Sequence, residues 1–234
     1  MIIYVGGQSH LAQTIAAAAR MRGFDVGTGT NAFAALSFAA EDVLDHEDLK
    51  AARAVFDGCF GETSQPVVLV SQVPPGTTRK WAGGRSAEVF YQVDTIIMRN
   101  ALPRVYAPQQ IIVGCADPNI PLPLVYQEYV MAHDCPVLQM SYESAEMVKC
   151  SINYMLAKQI EAANELAAAC EKVGAIYDDV RAALHNDARI GQYAYLRPGK
   201  TNQHLDRDIK TLNAANAWAR GQYDQCSDTP RTPT

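Results

Sequence analysis

The chain has 234 residues, 48% hydrophobic and 19% charged, enough for a real core in one large domain or two small ones. A formal net charge of −5 and the lack of any Lys/Arg-rich run give no footprint for nucleic acid or for an acidic membrane surface. Six scattered cysteines, none in a C-x-x-C pair, read as reduced small hydrophobes of a cytoplasmic protein, not as a disulfide framework or a structural zinc site. "MIIYVGG" is too short for a signal sequence, and no run of eighteen apolar residues exists to span a membrane.

"IIYVGG" reads as a buried strand ending in a Gly-Gly turn. "SHLAQTIAAAARMRG" follows as a helix, with Ser9 as N-cap and Gly23 just past the end. A strand, a tight turn and a helix in this order suggest the first βα unit of a nucleotide-binding α/β domain. "FDVGTG" is a weak second strand. Residues 31–64 read as mostly helical, best formed in "DHEDLKAARAVFDG". "PVVLVSQV" is a buried strand stopped by Pro74-Pro75-Gly76, and "QQIIVGC" is another. "PLPLVYQEYVMAHD" reads as a helix and "CPVLQM" as a last strand. Alternating strands and helices predict a parallel sheet covered on both faces.

From Ser141 the pattern changes. Apolar residues recur at helical spacing without a proline, which predicts one helix of about thirty residues, roughly 45 Å long, closed by Gly174. Shorter helices fill 176–222. The fold class is therefore α/β: a trimmed Rossmann-like domain over 1–138, then a long central helix within a small all-helical domain over 139–225. A polar, disordered tail is expected over 226–234. Such a helix needs cover, and a homodimer is expected.

Several residues could carry chemistry. In "GGQSHL", Gly6 and Gly7 supply a tight turn, but Gln8 and Leu11 stand where the second and third glycines of a dinucleotide fingerprint fall. Thr30 occupies the place of the acid that would hold a ribose. The loop is either a weak phosphate cradle or only a turn, with His10 at the helix start. Lys149 and Asn153, four apart on the long helix, lie among apolar neighbours. A desolvated Lys can serve as a general base or acid beside an Asn that holds a hydroxyl, whereas the plainer reading is a Lys snorkelling along a helix face. His204 and Asp208 sit four apart after the Pro198-Gly199 turn, either as a pair or as the solvated start of a helix. His133 reads as a charge partner at a helix C-terminus, and His46 and His185 as surface residues. No metal motif appears.

Taken together, these segments resemble the UDP-glucose/GDP-mannose dehydrogenases. "VSQVPPGTT" looks like the family's S-T-V-P-P-G-T. "AEMVKCSINYMLAKQIEAANELAAACEKVGA" resembles its central helix in register, and "DARIGQYAYLRPG" and "DRDIKTL" resemble its D-x-R-I-G…L-x-P-G and K-D-x-x-x-L segments. The resemblance implies NAD-dependent oxidation of a nucleotide-sugar alcohol to a carboxylate. It places Lys149, Asn153 and Asp208 on the catalytic Lys, Asn and Asp, which work together on a water. It places Gly6, Gly7, Gln8, His10, Thr30, Ser71 and Gln72 along the cofactor site. Asp94, Arg189 and Tyr195 fall on the substrate side, Asp94 in place of a Glu. Anchored on Asp208, His204 stands where the family has its nucleophilic Cys, which traps the aldehyde before the second hydride leaves. The resemblance also leads one to expect that the family's C-terminal UDP-binding domain is missing. Two functions follow: an oxidoreductase limited to one hydride step, or an inactive relative serving as a ligand-binding or dimeric scaffold.

Overall fold

The computed structural model describes residues 1–27, 34–43, 46–60, 65–83, 85, 88–95 and 100–213. The chain divides into two compact units, Met1–Lys149 and the part from Cys150 onward.

The first unit is built on one seven-stranded sheet. Its strands are β1 (Ile2–Gly6), β2 (Asp25–Gly27), β3 (Leu36–Glu41), β4 (Val67–Ser71), β5 (Val89–Gln92), β6 (Ile111–Cys115) and β7 (Val137–Ser141), in the order β2-β1-β3-β4-β5-β6-β7. Its helices are α1 (His10–Met21), α2 (His46–Gly58), α3 (Thr77–Ala82), α4 (Ala101–Tyr106), α5 (Leu124–Met131) and the start of α6 (Tyr142–Val173). Residues on the two faces of the inner strands enter two separate cores. Phe38, Val68, Val70, Phe90, Ile111 and Val113 meet α1 and α5. Ala39, Val67, Leu69, Tyr91 and Ile112 meet α2, α3 and the start of α6. Burial on both faces is why the strands read as continuous apolar runs.

Two expectations are corrected. Among the described residues of 31–64, α2 is helical as expected, but β3 precedes it as a strand inside the sheet. Ala39 and Ala40 are small enough to be sandwiched between two layers, and there their helix propensity is overridden. The sheet is also not wholly parallel, since β5 and β6 pair antiparallel through Tyr91↔Gly114 and Gln92↔Val113. The short α4 joins these strands, so no parallel crossover is needed.

The helix ends follow local rules. Ser9 caps α1 by accepting from the amide of Ala12 at 3.3 Å. At the other end Arg22 is the C-cap of α1, and its guanidinium donates to the carbonyls of Tyr106 and Ala132, where α4 and α5 finish. Ser141 Oγ accepts from Ser144 N at 3.2 Å and starts α6. Gly174, with φ +75°, ends it, and Ala175 N donates to Cys170 O at 2.9 Å, the wide bond of a Schellman cap. The 32-residue α6 matches the expected helix.

Gly114 lets α6 lie on the sheet: a Cβ there would come within 2.9 Å of Ala145 Cβ and 3.2 Å of Tyr142 Cα. His133, expected as a charged partner of a helix end, is instead 6% exposed with Nδ1 2.9 Å from Tyr129 O. Burial pulls its pKa below the ordinary value, so the ring is neutral near pH 7.

In the second unit α6 continues from Cys150, followed by α7 (Tyr177–Asn186) and a helix over 203–213. The turns between them are pinned by amide side chains of α6. Asn164 and Gly199 exchange two bonds, Nδ2 to O at 2.9 Å and N to Oδ1 at 2.8 Å. Gln159 Oε1 accepts from Tyr195 N at 2.8 Å. The expected tail over 226–234 lies outside the described residues. Among the described residues, no helix is long and apolar enough to cross a membrane.

Candidate functional site

The expected site residues fall into three groups. The first surrounds the turn after β1. Gly7 has φ +110°, and a Cβ there would lie 1.9 Å from Ala40 O, so only glycine fits. Gln8 N–H donates to Glu41 Oε2 at 3.2 Å. Glu41, the last residue of β3, donates its own amide to Ser71 Oγ at 3.3 Å. Leu11, in the place of a fingerprint glycine, is 1% exposed and belongs to the core. His10 is exposed at the first position of α1. Thr30 lies outside the described residues.

This turn tests the cofactor that the resemblance implies. A dinucleotide needs open amides at the start of α1 and close backbone approach to its pyrophosphate. Here a carboxylate already faces the Gln8 amide, and side chains replace two of the glycines. The turn as built does not fit a pyrophosphate.

The second group lies deeper in the first unit. Lys149 is 6% exposed. It does not snorkel: its Nζ donates to the Asp94 carbonyl at 2.7 Å and lies 3.6 Å from Asp94 Oδ2. Gln72 Nε2 donates to the same carboxylate oxygen at 3.3 Å, and Gln72 Oε1 is buried without a hydrogen-bond partner. One turn earlier on α6, the fully buried Glu146 accepts from Gly76 N at 2.5 Å and Thr78 N at 2.7 Å, which ties α6 to the start of α3. Burial raises the Glu146 pKa, and the two amides oppose that rise.

The third group is in the second unit. Asn153 Nδ2 donates to Asp208 Oδ2 at 2.5 Å. Arg207 Nε donates to Asp208 Oδ1 at 2.7 Å, and its Nη2 is ion-paired with the same oxygen at 2.6 Å. Asp208 is 3% exposed, so it is not the solvated acid of a surface helix. His204 is half-buried one turn earlier, and its amide donates to Asn202 Oδ1, which also caps Leu205 N. Arg189 is not gathered with them. Its side chain is 88% exposed and it pairs with Asp187, two residues away. Tyr195 is half-buried and engaged through its backbone with Gln159.

Reading the sequence missed Glu41, Glu146 and Gln159, and gave Arg207 no partner. Only Glu41 carried a signal, as an acid closing a small apolar run. Among the described residues no group of His, Cys, Asp and Glu is placed to hold a metal.

A doubly covered, mostly parallel sheet with a glycine turn after its first strand, followed by a long helix bearing buried Lys and Asn, makes this a Rossmann-like α/β protein with a central helical segment. Residues 143–222 match the UDP-glucose/GDP-mannose dehydrogenase family, central domain. It is 31% identical over 141 residues to UDP-glucose 6-dehydrogenase YwqF of Bacillus subtilis (strain 168), covering 57% of this chain and 31% of that protein. It is 25% identical over 178 residues to a UDP-glucose 6-dehydrogenase of Rickettsia conorii, covering 73% and 41%. The chain thus spans well under half the length of these curated relatives. A UDP-glucose dehydrogenase structure from the hyperthermophilic archaeon Pyrobaculum islandicum superimposes with a TM-score of 0.70 at 20% identity, over 93% of this chain and 64% of that one. A UDP-D-ManNAc dehydrogenase from Pyrococcus horikoshii gives 0.69 at 14%, over 96% and 71%. At these identities the structural likeness establishes the fold.

Proposed function

We propose that this chain is a catalytically silent relative of the nucleotide-sugar dehydrogenases, a dimeric scaffold that keeps their fold without their oxidation chemistry. This reading rests on His204, which by the resemblance stands where the family has its required thiol. Taking an alcohol to a carboxylate needs two hydride transfers, and before the second a nucleophile must add to the aldehyde carbon. Burial pushes the thiols of Cys115 and Cys135 up and that of Cys59 to about 12, so none of these three is a ready thiolate. Asp208 is already engaged by Arg207 and Asn153. A cytoplasmic setting suits these buried thiols, with no disulfide among the described cysteines.

A one-hydride oxidation is the second reading, favoured by the burial of Lys149 and Asn153, polar side chains that a purely structural helix has little use for. Incubation of the purified protein with NAD and UDP-glucose separates the two through the absorbance of reduced nicotinamide. No reduced cofactor is expected. One equivalent per sugar would replace the first reading with the second, and two would overturn both. The scaffold part rests on exposed apolar side chains of the second unit, Met155, Leu166, Val173 and Ile176. Light scattering is expected to give the mass of a dimer, and a monomer would remove that part.

A further inference from the structure

We infer that Glu41 closes the phosphate cradle of the first βα turn with its own carboxylate, and that this chain thereby rejects dinucleotides and other diphosphate esters. In an open α/β sheet, ligands bind where the strand order reverses, outside the carboxyl ends of the two strands concerned. Here the order β2-β1-β3 puts that reversal between β1 and β3. The crevice is bounded by Gly7, just past the end of β1, and by Glu41 at the end of β3.

Three observations place the carboxylate in the crevice. Glu41 is not on a free loop: it is the last residue of β3, paired in register with Ser71 of β4, and its amide donates to Ser71 Oγ. Its Oε2 accepts from Gln8 N at 3.2 Å, an amide of the turn that leads into α1. Gly7 permits that approach, since a Cβ on it would lie 3.1 Å from the same oxygen. The start of the twelve-residue α1 favours a negative charge, and the chain supplies one from within. A diphosphate entering the turn would have to displace the carboxylate from the amide and then sit beside it. At contact distance that repulsion weakens binding by tenfold or more. Gln8 and Leu11 add bulk in the same direction.

This inference concerns binding of the cofactor class alone. A titration without sugar therefore reads it whatever the turnover assay gives. NAD, and separately ADP, are titrated calorimetrically into the wild-type chain, Glu41→Gln, Glu41→Ala and Glu128→Gln. The last removes the same charge from an exposed site on α5. Wild type is expected to show no binding tighter than about 1 mM. Glu41→Gln and Glu41→Ala are each expected to bind at least about tenfold tighter than wild type, and Glu128→Gln is expected to match wild type. Thermal melts confirm that each variant is folded, and either Glu41 variant suffices if the other is not. Wild-type binding below about 100 µM would overturn the inference. So would folded Glu41 variants that bind no better than wild type, or an equal gain from Glu128→Gln, which would mean net charge alone is responsible.

Discussion

Gly7→Ala is expected to destabilise the first unit by about 3–5 kcal/mol, close to the whole stability of a marginal domain. Two costs act together. A φ of +110° lies outside any comfortable region for an L-residue, and the new methyl would sit 1.9 Å from the carbonyl oxygen of Ala40. That oxygen belongs to the backbone of a central strand, so no side-chain rotation relieves the contact. β1 and β3 must separate, or the turn must be rebuilt. Urea denaturation followed by far-UV circular dichroism checks this. An unchanged midpoint would show that the close approach of β3 to the turn is wrong. Gly23→Ala is the comparison: it too has positive φ, +84°, but nothing lies within 4 Å of its missing Cβ, so only the smaller conformational cost applies.

Lys149→Met is expected to cost about 3–5 kcal/mol through a different mechanism. The side chains of Lys149 and Asp94 are only 7% and 1% exposed. Methionine fills much the same volume, so the change is nearly pure charge removal. The carboxylate of Asp94 then stays buried with a Gln72 amide at 3.3 Å but without its ammonium. Replacing both members, as Lys149→Met with Asp94→Asn, is expected to recover most of the loss, because no unbalanced charge is left inside. Equilibrium unfolding of the two single variants and the double variant forms the cycle. A double variant no more stable than Lys149→Met would mean that the pair is not coupled.

How far the sequence could be read differs from element to element. β1, α1 and α6 were legible because their boundaries are local: Gly6-Gly7, Ser9, Gly23 and Gly174 each act within one turn of themselves. β3 was not, since a strand buried on both faces loses its alternation and "LSFAAE" then looks like an alanine-rich helix. β5 was hidden because it has four residues and its antiparallel partner lies beyond α4. For the candidate site the residue types at 149, 153 and 208 were informative, since all three are buried polar groups. Their immediate partners were not. Glu41 meets Gln8 across 33 residues, Glu146 meets Gly76 across 70, and Asn164 meets Gly199 across 35. No local pattern encodes such pairings. Arg189 misled for the opposite reason: its partner, Asp187, is too near to need a site at all.

Arg22 gathers the ends of three helices. The backbone amide of Arg22 caps α1, while its guanidinium donates to the carbonyls that end α4 and α5 and stacks 4.4 Å from the Tyr106 ring centroid. Helix ends ordinarily fray one by one, each at little free energy. With one residue holding all three, releasing any end withdraws a partner from the other two. The amides near residues 22, 107 and 132 should therefore exchange with solvent deuterium at a common rate, as one cooperative opening instead of three.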